Sequence, residues 1–237
     1  MRLETRQVDI FEISQKFVKK YQRSSADKKY LPHEIRTVQA CEESVEYLLN
    51  TVLDFDVAPK PGFSSPCYSA NYFDIYSFLR DRLRAVRVDL HVQNCVTNPV
   101  FVRVHEICLR FELLSLFLLW GRDFGGERKF DLHMSLTALS QTIDPLTNAW
   151  SHSLVDAQRG KSASLILLLS LTSSSSKQFK SQFLKQPKSV QESPEMRNAF
   201  EICEFFFAKN WAQFLAKFEA LDFLSSCALL PVLSRAR

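Results

Sequence analysis

The residues of this 237-residue chain with the clearest capacity for chemistry are four arginines in one short stretch. Residues 78–94 read FLRDRLRAVRVDLHVQN, with arginines at positions 80, 82, 84 and 87 among aliphatic side chains. A guanidinium group can bind phosphate, pair with a carboxylate, or keep one face of a helix soluble. A phosphate-facing row at helical spacing would consist of Arg80, Arg84, Arg87 and His91.

The charge balance of the chain bears on which of these roles the arginines have. The net charge is +4 and the isoelectric point is near 8.7, which permits an acidic partner but falls short of a dedicated nucleic-acid binder. A basic row without exposed aromatics would bind RNA or DNA independently of sequence and with strong salt dependence. The modest charge favours an ion-paired or solvated face instead, for example with Asp81 and Arg84 paired at i, i+3.

Other patterns that carry chemistry are missing from the sequence. The six cysteines are scattered and form no C-x-x-C pair, which favours reduced thiols in an intracellular protein over a zinc module or a disulfide framework. The five histidines show no H-x-x-x-H spacing, and no G-x-S-x-G elbow or phosphate-binding glycine loop is present. We therefore predict no catalytic residue, no metal, no cofactor and no small-molecule substrate. The start of the chain lacks the apolar core of a signal peptide, and no apolar run is long enough to span a membrane.

Hydrophobic spacing predicts an all-α fold built from stacked helical hairpins. The 20 phenylalanines and only 5 glycines also favour helical packing over a turn-rich sheet. In one predicted helix the apolar stripe runs through Val38, Cys41, Val45, Leu48 and Val52, with Pro32 near the start. The other predicted helices cover residues 10–21, 100–120, 132–154, 162–171, 193–208 and two short segments that end near 230. Pro145 is expected to kink the helix at 132–154, and Ser193 with Pro194 to begin the helix at 193.

The arginine stretch itself carries two periodicities. Leu79, Leu83, Val86 and Leu90 lie on one face of a helix, whereas Val86, Val88, Leu90 and Val92 alternate with polar residues as in a strand. Helix is favoured because no neighbouring segment offers a convincing partner strand, but the pattern alone leaves both open.

The same stretch resembles the signature of the Sac/GANP family, an aromatic residue followed by D-R-x-R-A-V/I-R-x-D-L and a nearby glutamine. The matching residues are Phe78, Asp81, Arg82, Arg84, Ala85, Val86, Arg87, Asp89, Leu90 and Gln93. Weaker similarity extends from about Leu31 to Leu230, including the apolar run SASLILLLSL and the segment that begins at Ser193. The resemblance implies a helix for the arginine stretch, in which charges such as Arg82 and Asp89 tie adjacent hairpins together.

The resemblance further implies a PCI-type helical scaffold with no enzymatic activity. We expect a nuclear subunit of TREX-type complexes that couple transcription to mRNA export, with a centrosomal or spindle role, or a cytoplasmic location, as alternatives. Its expected partners are a second PCI-type subunit and a small acidic peptide of the Dss/Sem type, whereas RNA binding stays open. The family's winged helix is expected to be missing or incomplete after LLPVLSRAR.

The expected organisation has three parts. Residues 1–30 form an N-terminal helix and a charged linker, residues 31–230 form the Sac/GANP-like helical domain, and residues 231–237 form a tail. Within the domain, residues 55–71 are expected to form a proline-rich loop and residues 172–193 a serine-rich polar loop.

Overall fold

Apolar residues at helical spacing become the buried faces of helices throughout the fold. A computed structural model of the protein describes residues 18–22, 30–53, 72–122, 130–152 and 159–233. Within those ranges the secondary structure is helical and contains no strand, so the all-α prediction is confirmed. The helices are α1 (Val38–Tyr47), α2 (Tyr72–Val92), α3 (Pro99–Leu119), α4 (Leu132–Trp150), α5 (Arg159–Ser170), α6 (Ser176–Leu184), α7 (Lys188–Gln191), α8 (Pro194–Phe207), α9 (Trp211–Glu219) and α10 (Phe223–Leu233).

The chain divides into two compact units. The first contains Met1–Val104 with Phe124–Arg128, and the second contains His105–Asp123 with Lys129–Arg237. The division therefore falls inside α3, directly after Val104. No helix in the described part of the chain is long and apolar enough to cross a membrane.

In the first unit, α1 packs against α2. Four of the five residues of the predicted stripe are buried, namely Cys41, Val45, Leu48 and Val52, and the first, Val38, is half-buried. The start of this helix was predicted too early. Residues Pro32–Glu34 form a separate 3₁₀ turn, and α1 begins after Thr37, whose side-chain oxygen accepts a hydrogen bond from the backbone N–H of Ala40. Beyond Tyr47 the helix continues as a wider π-helical turn over Leu48–Val52.

The arginine stretch forms a helix, so the helical one of its two periodicities is correct and the strand pattern is not. Its apolar face, including Leu79, Leu83 and Leu90, is buried in the first unit. The helix ends before Asn94, which adopts a left-handed conformation with φ 53°. Asparagine is one of the few residues other than glycine that enter this region at low cost, so the sequence favours a stop there.

In the second unit, α5 is the central helix and contacts α6, α7, α8 and α10. It is buried on nearly all sides, as the SASLILLLSL run predicted, with small residues in its first turns and leucines after them. Gly160 lets α5 approach Ser193 closely, because a β-carbon on Gly160 would lie 2.8 Å from the Ser193 Oγ. Ser193 in turn caps α8 with Pro194 in its first turn, as predicted.

Two boundaries expected from the sequence need correction. Residues 172–193 are not a continuous loop, because α6 and α7 lie inside that range. A capping box starts α6, with Ser175 and Gln178 bonded to each other's backbone N–H. The last helix runs through Pro231 to Leu233, so the domain does not end at 230.

Two further expectations fall largely on residues outside the described ranges. Residues 18–22, at the end of the predicted N-terminal helix, are not helical, and the rest of that helix is not described. The expected proline-rich loop at 55–71 also lies outside the described residues. The helix predicted at 132–154 ends earlier, at Trp150, and contains Pro145.

The Glu106 carboxylate is a buried charge in the second unit. The side chain is 5% exposed, accepts a hydrogen bond from Ser162 Oγ at 3.0 Å, and lies 3.6 Å from the guanidinium of Arg110, which follows it at i+4 on α3. Burial raises the pKa of Glu106 above its ordinary value of 4.5, while Ser162 and Arg110 oppose that rise.

Replacing Gly160 by alanine should destabilise the protein by about 1–3 kcal/mol, because the new methyl group overpacks the contact with Ser193. Chemical denaturation measures this change. In a Ser193→Gly background, which removes the clashing atoms and still permits a helix cap, the same substitution should be neutral or stabilising. An increase in stability for Gly160→Ala in the wild-type background would contradict the close contact.

Glu106→Gln should change how stability depends on pH. Because the folded protein holds the Glu106 proton more tightly than the unfolded chain does, this group's contribution is greatest below pH 4.5 and is lost as pH rises through the raised pKa. Glutamine does not titrate, so the melting temperature of the variant relative to wild type should be higher at pH 7.5 than at pH 4.5. Glu219→Gln, at an exposed position, is the control, and an equal difference at both pH values for Glu106→Gln would refute the expectation.

Candidate functional site

The Asp89 carboxylate is the charge centre of the arginine stretch. Its side chain is 1% exposed, and it accepts hydrogen bonds from Lys19 Nζ at 2.6 Å and from Arg36 Nε at 2.8 Å. The backbone N–H of Arg36 also donates to it, at 3.3 Å. A carboxylate this deeply buried is tolerated when it is paired and hydrogen-bonded on both oxygens, which is the case here.

Gln93, which directly follows the end of α2, holds the same segment. Its Nε2 donates to the carbonyl oxygens of Arg36 and Asp89, each at 2.8 Å. Lys19 Nζ also donates to the carbonyl of Glu34 at 2.7 Å. Asp89 and Gln93 therefore fasten two distant chain segments to α2, one at Lys19 and one at Arg36.

Arg82 and Asp81 form a second pair on α2. Arg82 is 3% exposed, its Nη1 lies 2.6 Å from Asp81 Oδ2, and its guanidinium stands 4.4 Å from the centre of the Phe78 ring. The same Asp81 oxygen accepts the backbone N–H of Tyr21 at 3.1 Å. Three residues of the signature thus stabilise one another, and Asp81 joins them to the segment at Tyr21.

The row proposed to face phosphate does not project together into solvent. The Arg84 guanidinium lies 4.0 Å from the centre of the Tyr21 ring, and that of Arg80 lies 5.6 Å from the Tyr76 ring. Arg80, Arg84 and Arg87 are half-buried, and His91 is exposed. Asp81 contacts Arg82 instead of forming the i, i+3 pair with Arg84 considered above. This placement favours an internal role for the arginines over a phosphate-binding one.

The remaining signature residues belong to the core of the first unit. Ala85 is 2% exposed, and Val86 and Leu90 are fully buried. Every residue of the signature therefore lies on α2 or directly after it, and each is buried or half-buried. The residues of the signature therefore hold α2 in place within the first unit.

Lys19 and Arg36 are the residues of this site that the sequence did not reveal. They lie 70 and 53 positions away from Asp89, and neither stands in a recognisable motif. The available signal was indirect: an aspartate on the inner side of a buried helix requires cationic partners, but the sequence does not say which ones.

The comparison with known families adds to this geometry, because a family model described as the SAC3/GANP family matches residues 1–237. The chain belongs to the SAC3/GANP family. This is a scaffold family linked to mRNA export, and its members are generally associated with the nucleus or the nuclear pore. The resemblance inferred from the signature is thereby confirmed.

Two curated relatives support the family assignment. The chain is 25% identical over 230 residues to Protein xmas of Drosophila melanogaster, an alignment that covers 93% of this chain and 10% of the relative. It is 29% identical over 127 residues to SAC3 family protein B of Arabidopsis thaliana, which covers 53% of this chain and 6% of that relative. The chain thus spans a tenth or less of the length of these SAC3/GANP relatives.

Three buried cysteines of this SAC3/GANP chain are poor nucleophiles. Burial raises the pKa of the Cys41 thiol and of the Cys227 thiol to about 11, and it raises the pKa of Cys203 further. Because the thiolate is the reactive form, these three side chains stay protonated and unreactive at neutral pH. They act as small apolar residues of the core.

Asp89→Asn should destabilise the protein by about 3–5 kcal/mol, because it leaves Lys19 and Arg36 facing an uncharged amide in a buried site. Urea denaturation followed by circular dichroism measures the loss. Asp144→Asn makes the same chemical change at an exposed position and should stay within about 0.5 kcal/mol of wild type. A result for Asp89→Asn as small as that of the control would show that the cluster does not hold the unit together.

Proposed function

We propose that this SAC3/GANP chain is a non-enzymatic scaffold subunit that supports mRNA export coupled to transcription, through protein–protein contacts in the nucleus. The observation that carries the proposal is the match of the whole chain to the family. The site geometry is consistent with it, since the charged signature residues are engaged in internal ion pairs, hydrogen bonds and ring contacts. A scaffold subunit must present a rigid surface to its partners. Internal contacts that hold the first unit in one conformation suit this role.

The proposed partners are a second PCI-type subunit and a small acidic peptide of the Dss/Sem type. One patch in the second unit has the character of a protein contact. The Phe117 and Phe223 rings pack edge to face with centroids 5.0 Å apart, yet the residues remain 43% and 52% exposed. Paired aromatics that stay in solvent are typical of protein interfaces, where aromatic residues are enriched. We propose this patch as the contact for the PCI-type subunit.

The scaffold role predicts which proteins co-purify with the tagged chain. Affinity purification from cells, with and without nuclease, should recover a PCI-type subunit and the acidic peptide in both cases. Loss of every protein partner after nuclease would contradict the scaffold role and favour a nucleic-acid module. Imaging of the tagged chain should show nuclear signal, whereas signal confined to centrosomes or spindle would contradict the nuclear placement.

A variant tests the proposed contact separately from the scaffold role. Phe117→Ser with Phe223→Ser should lose the PCI-type subunit, because the exposed aromatic pair is gone. Leu31→Ser removes an apolar side chain that is 50% exposed in the first unit and should retain the subunit. Retention by the double variant would contradict the patch while leaving the scaffold role intact.

A further inference from the structure

Helix α9 is a surface helix whose outer side is apolar. It packs on α8 through Phe214, which is 2% exposed and lies 5.8 Å from Phe206 between ring centroids. Trp211 and Leu215 of the same helix remain 49% and 52% exposed. A surface helix ordinarily turns charged and polar side chains toward solvent. The outer side of α9 therefore has the composition of a contact surface.

Small residues form the centre of this outer side. With 3.6 residues per turn, Ala212 and Ala216 lie on the side of α9 opposite Phe214, and both are exposed. Trp211 and Leu215 flank them along one edge. Alanine lets a second helix approach closely, because the distance between packed helices depends on the side chains at the contact. We call Trp211, Ala212, Leu215 and Ala216 the α9 face.

The free charges of this segment stand at its two ends. Lys209 precedes the cap of α9 and Glu219 is the last residue of the helix; both are exposed, and neither has an ion-pair partner among the described residues. The charged residue between them, Lys217, is half-buried and lies 2.6 Å from Glu201 of α8. One unpaired positive charge thus marks the start of the α9 face, and one unpaired negative charge marks its end.

This arrangement is complementary to itself when two copies of α9 lie antiparallel. A two-fold axis level with Phe214 places each residue opposite the one that lies equally far along the helix on the other side of Phe214. Lys209 then faces Glu219 of the second copy, and Ala212 faces Ala216 of the second copy. Leu215 lies one residue from the axis, so the two Leu215 side chains meet near the centre. Opposite charges and small residues are therefore matched in one and the same register.

We propose that the α9 face is a dimer contact, on which a second copy of this chain packs with its own α9 antiparallel. A helix of a different protein is the competing occupant, but the match of charges and alanines within α9 itself is required only for self-association. Stable interfaces bury roughly 1,200–2,000 Å², and a 9-residue helix about 13 Å long supplies less. We therefore expect a concentration-dependent dimer with Kd on the order of 10–100 µM.

Sedimentation velocity of the purified full chain, over a concentration series that spans the expected Kd, tests this contact. The mean mass should rise from the 27.4 kDa of one chain toward twice that value. Leu215→Ser should weaken the dimer at least about tenfold, because it removes the apolar pair at the centre. Leu184→Ser makes the same change on α6 at a position that is 70% exposed, and it should change Kd less than about twofold.

Charge reversal tests the antiparallel register. Lys209→Glu places like charges opposite each other at both ends of the contact, so it should weaken the dimer about tenfold at low salt, and Glu219→Lys should do the same. The double variant restores opposite charges and should return Kd to within about threefold of wild type. Lys161→Glu changes the net charge as Lys209→Glu does, at another exposed position, and should leave Kd nearly unchanged.

Three results would overturn the proposal. The first is a chain that stays monomeric throughout the series; if Leu215→Ser then lost a cellular protein that Leu184→Ser retained, the face would belong to that protein. The second is equal weakening by Leu215→Ser and Leu184→Ser. The third is a charge-reversed double variant that stays as weak as either single variant. All of these measurements use the purified chain alone, so the dimer contact and the scaffold role fail separately.

Discussion

The first unit depends on the burial of one negative charge. Asp89 is almost completely removed from water, and such a carboxylate is acceptable only because Lys19, Arg36 and a backbone N–H meet its oxygens. Each of these donors belongs to a segment far from α2 in the sequence. The requirement to satisfy one carboxylate therefore dictates where those segments lie, and Gln93 fixes the same segment again through the Arg36 carbonyl.

This dependence changes how the arginine-rich signature should be interpreted. Four arginines and two aspartates in ten residues look like a ligand-binding motif, yet Arg82 stacks on Phe78 and Arg84 on Tyr21. The residue types that identify the SAC3/GANP family in this chain are those that build its first unit. Family resemblance through such residues is strong information about the fold and weaker information about the surface that meets a partner.

Local patterns in the sequence predicted those features that depend on neighbouring residues. The buried stripe of α1, the cap at Ser193, the apolar α5 and the Glu106–Arg110 pair were all predictable from spacing. The partners of Asp89 were not, because tertiary contacts between residues more than fifty positions apart leave no local trace.

Helix α6 was missed for a different reason. A serine tract, a proline and several lysines suggested a loop between 172 and 193, although Ser175 and Gln178 stand at the spacing of a capping box. That box satisfies free N–H groups at the start of α6, and the burial of Phe179 supplies the packing energy for a short helix. Only with the helix in place do Lys177 and Lys185 fall on one side.

The central position of α5 has a consequence for synthesis on the ribosome. Its leucines are covered by α8 and α10, which come later in the chain, so the helix leaves the ribosome before its partners exist. Roughly 60 residues separate the end of α5 from the end of α10, a delay of about 3–12 seconds at typical translation rates. During that interval the nascent chain presents an uncovered apolar helix, which makes the second unit a natural client for chaperones that bind emerging hydrophobic segments.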